Sequence, residues 1–207
     1  CDLESPDAPA TLDAHGAASR LRGIRQIVGR SAEEDAQTGT GRLLANPAWR
    51  RGLALLPERG LSFDLQLIPD QLQAAAQALE TVPDLDVALC HAGSPWDQSP
   101  QGLAHWRAGL ERLAERPRTV CKLSGFGMFD HDWTTARLRP LVETCLDVFG
   151  PARCLFGSNF PVDKLHASYA RLYGAFAELT EGLSDAERDA LFIDNAVRFY
   201  RLDDIAR

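Results

Sequence analysis

Four stretches of this 207-residue chain run from apolar residues into side chains that can do chemistry. They are Gly23-Ile24-Arg25, residues 87–93 with His91, residues 120–125 with Lys122, and residues 154–163 with Asn159 in a Gly-Ser-Asn turn. A strand that offers small and polar residues at its carboxyl tip is where a parallel barrel keeps its active site. The four therefore point to an enzyme scaffold and away from a binding module. His91, with an ordinary pKa of about 6.5, suits metal ligation or proton shuttling near neutral pH. Arg25 offers a planar fork of donors for a substrate oxygen, or a salt bridge to a neighbouring acid. Lys122 follows an apolar strand start, and a lysine buried there needs an acid partner or a lowered pKa. Asn159 is an amide, able to orient a substrate or tie a turn, and a poor base.

These side chains need a frame. Strand-like apolar runs fall at residues 1–4, 21–28, 62–67, 86–90, 119–123 and 154–156. In 62–67, Phe63, Leu65 and Leu67 alternate with Ser62, Asp64 and Gln66. Helical stretches fall at 11–20, 47–58, from about 69, at 103–114 and at 135–149, with two more at the end. Trp49, Leu53 and Leu56 stand at helical spacing, and Ser184-Asp185-Ala186-Glu187 forms a capping box. Alternation of this kind predicts one α/β domain over residues 1–207, a parallel sheet covered by helices. A closed (β/α)8 TIM barrel needs eight strands. Six imply either an open sheet or a barrel of which this chain holds strands three to eight. The chain begins with Cys1 and its one methionine is Met128, which reads as a fragment or a trimmed chain. Counted this way, Arg25, His91 and Asn159 lie on even-numbered strands and converge at one mouth. Asp64 and Lys122 lie on odd-numbered ones and can pair inside.

The bulk properties exclude several classes of function. Hydrophobic residues make 45% of the chain and charged ones 25%, as in a soluble globular protein. Acids outnumber bases 29 to 22 with no basic block, which argues against nucleic acid or an anionic membrane surface as partner. A small-molecule substrate is the expected partner. No signal peptide and no bilayer-spanning apolar run are visible. The five cysteines include no C-x-x-C pair, and Cys90, Cys121 and Cys154 lie in apolar runs. Buried, reduced thiols of this kind fit a cytoplasmic protein.

Taken in order, six blocks resemble the amidohydrolase-related family of TIM-barrel hydrolases. They are Cys1-Asp2-Leu3-Glu4-Ser5-Pro6, Arg22-Gly23-Ile24-Arg25-Gln26, residues 60–66, His91-Ala92-Gly93-Ser94-Pro95, Lys122-Leu123-Ser124-Gly125 and residues 156–162. Within the family the chain is most similar to fuconolactonase-like sugar lactonases and pyrone-dicarboxylate lactonase. The resemblance covers nearly the whole chain. It implies a hydrolase that opens a lactone of a sugar acid or an aromatic-degradation intermediate with activated water. His91 and Asn159 are then the candidate catalytic residues, and Arg25, Lys122 and Asp64 the candidate substrate-binding ones. A divalent metal, zinc or manganese, is implied with His91 as a ligand, although some lactonases of this branch work without metal.

The chain departs from the family pattern in two ways. Members begin with a His-x-His pair on the first strand, whereas no two of the five histidines here lie two apart. By the strand count that pair would lie upstream of Cys1. Asn159 stands where members often carry an Asp that ligates metal or acts as general base. Asp163 is a candidate replacement carboxylate, or else the N-cap of the next helix. Residues 131–133 read as an exposed turn, and His15, His105 and His166 as helix residues outside the barrel with no role. A second enzymatic reading makes Lys122 a Schiff-base nucleophile, and a third makes the chain an inactive, incomplete barrel.

Overall fold

The computed structural model describes residues 1–29 and 31–202. Five strands form one parallel sheet in chain order: β1 (Gly23–Ile27), β2 (Ser62–Gln66), β3 (Val87–Leu89), β4 (Thr119–Leu123) and β5 (Cys154–Phe156). Unbroken chain order in a parallel sheet, with helices in every crossover, is the arc of a (β/α) barrel. The register puts Arg25 beside Asp64, Asp64 beside Ala88, and Ala88 beside Val120, so these four share the inner face. The opposite phase of these strands, with Phe63, Leu65, Val87, Leu89, Cys121 and Leu123, points outward and is fully buried under helices. Two-residue periodicity thus sends one phase of each strand to the core and the other to the site.

The outer layer runs α1 (Ala8–Gly16), α2 (Ala32–Thr38), α3 (Pro47–Glu58), α4 (Leu72–Leu79), α5 (Pro100–Ala114), α6 (Phe126–Phe129), α7 (Thr135–Phe149), α8 (Tyr169–Leu179), α9 (Asp185–Asp189) and α10 (Asn195–Tyr200). Helix α3 shows why the periodicity was readable. Asn46 caps it by accepting from Ala48 N–H, and Trp49, Leu53 and Leu56 stack on the sheet with no exposure. Helix α9 opens on the reciprocal Ser184–Glu187 capping box. Helix α10 turns back beneath the arc, where Ala196 and Phe199 pack on Ala88, Val120 and Leu155. No helix among the described residues is long and apolar enough to cross a membrane.

One expected strand is absent. Residues 1–4 pair with no strand and enter turns at Leu3, where Asp2 accepts from Glu4 N–H (3.0 Å) and Ser5 accepts from Asp7 N–H (3.1 Å). Short polar side chains that bond nearby backbone compete with sheet pairing. Leu3 is nonetheless buried, and its carbonyl lies so close to Gly52 of α3 that a methyl group there would collide with it. The barrel arc therefore begins at Gly23, five strands where six were expected. The first helix also starts earlier than expected, at Ala8, with Pro9 in its first turn. All five cysteines are free, and four of them are buried.

Candidate functional site

The site starts from a twist of backbone. After β3 the chain makes a turn in which His91, Ala92, Gly93 and Ser94 all have positive φ, between 52° and 72°. Only glycine adopts that region freely, and each of the others pays about 1–2 kcal/mol. The conformation is held by Ser94 N–H on the His91 carbonyl (2.8 Å) and Trp106 Nε1–H on the Ala92 carbonyl (2.7 Å). It places the His91 ring, only 5% exposed, at the inner mouth of the arc.

Both ring nitrogens of His91 are engaged. Arg25 Nη2 lies 3.1 Å from Nε2, and Ser124 Oγ lies 3.0 Å from Nδ1. A guanidinium can only donate, so Nε2 must carry the lone pair and Nδ1 the proton given to Ser124. Burial first, then the Arg25 and Lys122 cations, push the His91 pKa down to about 4. The imidazole is neutral at physiological pH. Arg25 also donates to Gln66 Oε1, so one guanidinium bridges β1, β2 and the β3 turn.

A cavity of about 820 Å³ opens over this group, with Arg25, Gln66, His91 and Asn159 in its wall. Trp96 forms part of the lip. It is 52% exposed, and its ring meets Phe129 edge-on at 4.8 Å. His105 and Asp70 also line the cavity, bonded to each other at 2.9 Å. His105 was expected to lie apart from the site; the amino-terminal turns of α5 carry it to the rim instead. Gln66 was not singled out from the sequence, although the inward polar phase of β2 signals it.

Asn159, in the left-handed conformation (φ 54°), donates its side-chain amide to Asp163 Oδ1 at 3.0 Å. Asp163 is buried and does not cap the following helix α8, whose cap is Ser168. Residues 131–133 are only partly the exposed turn expected of them. His131 stacks on His166 (4.2 Å), while Trp133 is buried beneath the Arg171 guanidinium (4.3 Å).

Asp64 and Lys122 meet each other rather than the cavity. Lys122 Nζ lies 2.5 Å from Asp64 Oδ2, and Tyr200 of α10 donates to Asp64 Oδ1 at 2.8 Å. Neither is among the described residues that line the cavity, and the two form the internal ion pair that strand alternation allows. Tyr200 carried no sequence signal, because its partner lies 136 positions earlier.

The chain that builds this arc matches known proteins. Residues 1–202 match the family described as Amidohydrolase. The chain belongs to the amidohydrolase family. An uncharacterized protein of Sinorhizobium fredii, y4mH, is 40% identical over 97% of this amidohydrolase and 68% of its own length. L-fucono-1,5-lactonase of Burkholderia multivorans is 33% identical, over 99% of this chain and 71% of its own. A crystal structure of a B. multivorans amidohydrolase with bound zinc superposes with a TM-score of 0.86 at 31% identity, covering 97% of this chain and 71% of that one. A 2-pyrone-4,6-dicarboxylic acid hydrolase structure from Pseudomonas putida, 23% identical, shares the fold (TM-score 0.72; 94% and 68% covered). This amidohydrolase is accordingly a hydrolase with an α/β barrel fold.

The zinc-bound relative prompts a test of the residues present here. Among the described residues no three His, Cys, Asp or Glu side chains come together to hold a metal ion. His91 offers one imidazole, but its Nε2 is taken by Arg25, and its charged surroundings are the cations Arg25 and Lys122. A catalytic zinc takes three protein ligands. The described residues therefore do not form a metal site around His91.

Gly125 backs the His91 ring. Its φ is +73°, and a methyl group there would sit 2.7 Å from His91 Nδ1. Gly125→Ala is expected to displace the ring from Ser124 and Arg25 and lower kcat about a hundredfold. Steady-state kinetics, with circular dichroism to confirm folding, checks this.

Proposed function

We propose that this amidohydrolase opens the ester ring of a neutral, hydroxyl-bearing lactone. The charge inventory of the cavity carries the reading. Among its described lining residues Arg25 is the one permanent cation, against the carboxylates of Glu34, Asp70 and Asp97. A dicarboxylate substrate calls for paired cations, whereas a polyol is read by acceptors such as these. The ring of Trp96 at the lip offers an apolar face for the carbon skeleton of a small ring. A relative named as an L-fucono-1,5-lactonase supports the same class.

In this reading Arg25 aims donors at the lactone carbonyl, where negative charge develops as water attacks. Neutral His91 holds the guanidinium in place by accepting from it. Asn159 orients the substrate or the attacking water. The Schiff-base alternative gains no support, because Lys122 Nζ is tied to Asp64 and does not line the cavity.

The test is a comparison of kcat/KM for a panel of 1,4- and 1,5-sugar lactones with that for a pyrone dicarboxylate. Sugar lactones are expected to be preferred by about a hundredfold or more. Trp96→Ala is expected to raise KM for them by roughly three- to tenfold, the value of a lost ring contact. A preference for the dicarboxylate would overturn the reading.

A further inference from the structure

We infer that Asp163 is a positioning residue that turns the Asn159 amide so that its Oδ1 serves as an acceptor toward the cavity. The inference rests on the placement of Asn159 in the hydrolytic site proposed above. Asp163 is 2% exposed, and Asn159 Nδ2 donates to its Oδ1 at 3.0 Å. The backbone closes the same loop, with Asp163 N–H on the Asn159 carbonyl at 3.1 Å. A carboxylate has no hydrogen to give, so Asn159 must present its NH2 group to Asp163. The amide is planar, and Oδ1 is thereby turned the other way. Of the two residues, Asn159 lines the cavity and Asp163 does not.

A turn needs no such arrangement. Serine or asparagine at position 163 would tie the loop without burying a carboxylate. Here the second oxygen, Oδ2, is buried without a well-formed hydrogen bond, and the Gly127 backbone N–H is the further donor acting on the carboxylate. Leaving a buried acceptor unpaired is costly. Burial also pushes the Asp163 carboxyl pKa up, opposed by the Asn159 amide, then the Gly127 N–H and His166. What a carboxylate does that serine and asparagine do not is dictate the amide's orientation, because it accepts and never donates. Asn159 itself is held in the left-handed region, so its backbone is also committed to this geometry.

The consequence for chemistry is specific. An acceptor at Asn159 Oδ1 takes a hydrogen bond from a water or a substrate hydroxyl and aligns it, without removing its proton. Were the amide reversed, the cavity would meet a donor there, repelling the hydrogen it needs to hold.

The test uses the full-length protein. Asp163→Asn keeps the shape but can donate as well as accept, so the Asn159 amide is no longer compelled. It is expected to lower kcat on the preferred sugar lactone about tenfold to a hundredfold, with KM changed less than about threefold. The exchanged pair, Asn159→Asp with Asp163→Asn, again leaves an oxygen toward the cavity and is expected to regain most of the lost rate. A readout independent of catalysis is the Asn159 side-chain 15N–1H signal, assigned by its loss in Asn159→Asp. One of its two protons should lie downfield in the native protein and return toward the usual amide position in Asp163→Asn. Unchanged kcat in Asp163→Asn, with or without a lower melting temperature, overturns the inference. An unshifted amide signal overturns it too. If the native protein hydrolyses no lactone, the functional reading fails by itself, and the amide signal still decides the orientation.

Discussion

Arg25→Met is expected to lower kcat/KM on a lactone by about 10²–10³-fold, the usual loss for removing a donor from a developing oxyanion. Arg25 stands on β1 at one edge of the sheet, with its guanidinium shared between Gln66 and His91. Its remaining donors are free to meet a substrate oxygen because the side chain stays accessible to the cavity. Arg25→Lys keeps the charge but loses the fork, and should fall between Met and the native residue. The same substitution has a second signature. Burial is the first cause of the low His91 pKa and Arg25 the next, so removing Arg25 raises that pKa above about 4 while burial still holds it below the ordinary value. Histidine NMR titration reads this directly.

The sign of the effect on stability follows from linkage. In the unfolded chain His91 titrates near its ordinary value of 6.5, and in the folded protein near 4. Above 6.5 it is neutral in both states and stability is at its full value. As pH falls from there through 4, the unfolded state takes up a proton that the native state refuses. Up to about 3 kcal/mol is lost over that window. In Arg25→Met the two pKa values move closer, so the loss on acidification should shrink. If kcat/KM stays within about threefold and the His91 titration does not move, Arg25 has no part in the site.

How much of this was legible depended on the range of the interactions. Helix 47–58 and strand 119–123 were read correctly to the residue, because local periodicity decides them. The inner-face phase of β2 was legible for the same reason, and it led to the Asp64–Lys122 pair through alternation alone. Residues 1–4 were misread because one buried Leu3 in a polar segment mimics a strand end, while Asp2 and Ser5 choose turns. The four left-handed residues at 91–94 left no trace, since His and Ala avoid that region unless tertiary contacts such as Trp106 on Ala92 impose it. Asp163 was read as a replacement carboxylate or, lying just past the strand tip, as the cap of the next helix. Its burial against Asn159 comes from the fold of the β5 loop, which propensity does not describe. Tyr200 reaches the Asp64–Lys122 pair and His105 the cavity rim from distant helices, and both required the packing itself.

The largest stability effect should come from the ion pair beneath the site. Lys122→Met leaves Asp64 without its cation in a place where both side chains are 18% exposed. Removing one member of such a pair costs about 3–5 kcal/mol, because the survivor keeps its desolvation penalty and loses its compensation. The Tyr200 hydroxyl still donates to Asp64 Oδ1, and the Lys122 ammonium lies 5.1 Å from the Tyr200 ring. Burial, reinforced by the Asp64 charge, pushes the Tyr200 phenol pKa upward, so it remains a neutral donor. One neutral hydrogen bond contributes about 1 kcal/mol and cannot replace the lysine. Tyr200→Phe alone should therefore cost about 1 kcal/mol and loosen α10. The double variant Asp64→Leu with Lys122→Met removes both charges and is expected to recover most of the single-variant loss, which urea unfolding measures. Activity separates the two roles open to these residues. A structural pair predicts that the double variant, once folded, keeps its KM for lactone. A substrate-binding pair predicts a KM raised tenfold or more whatever the stability, and that result would return Asp64 and Lys122 to the site.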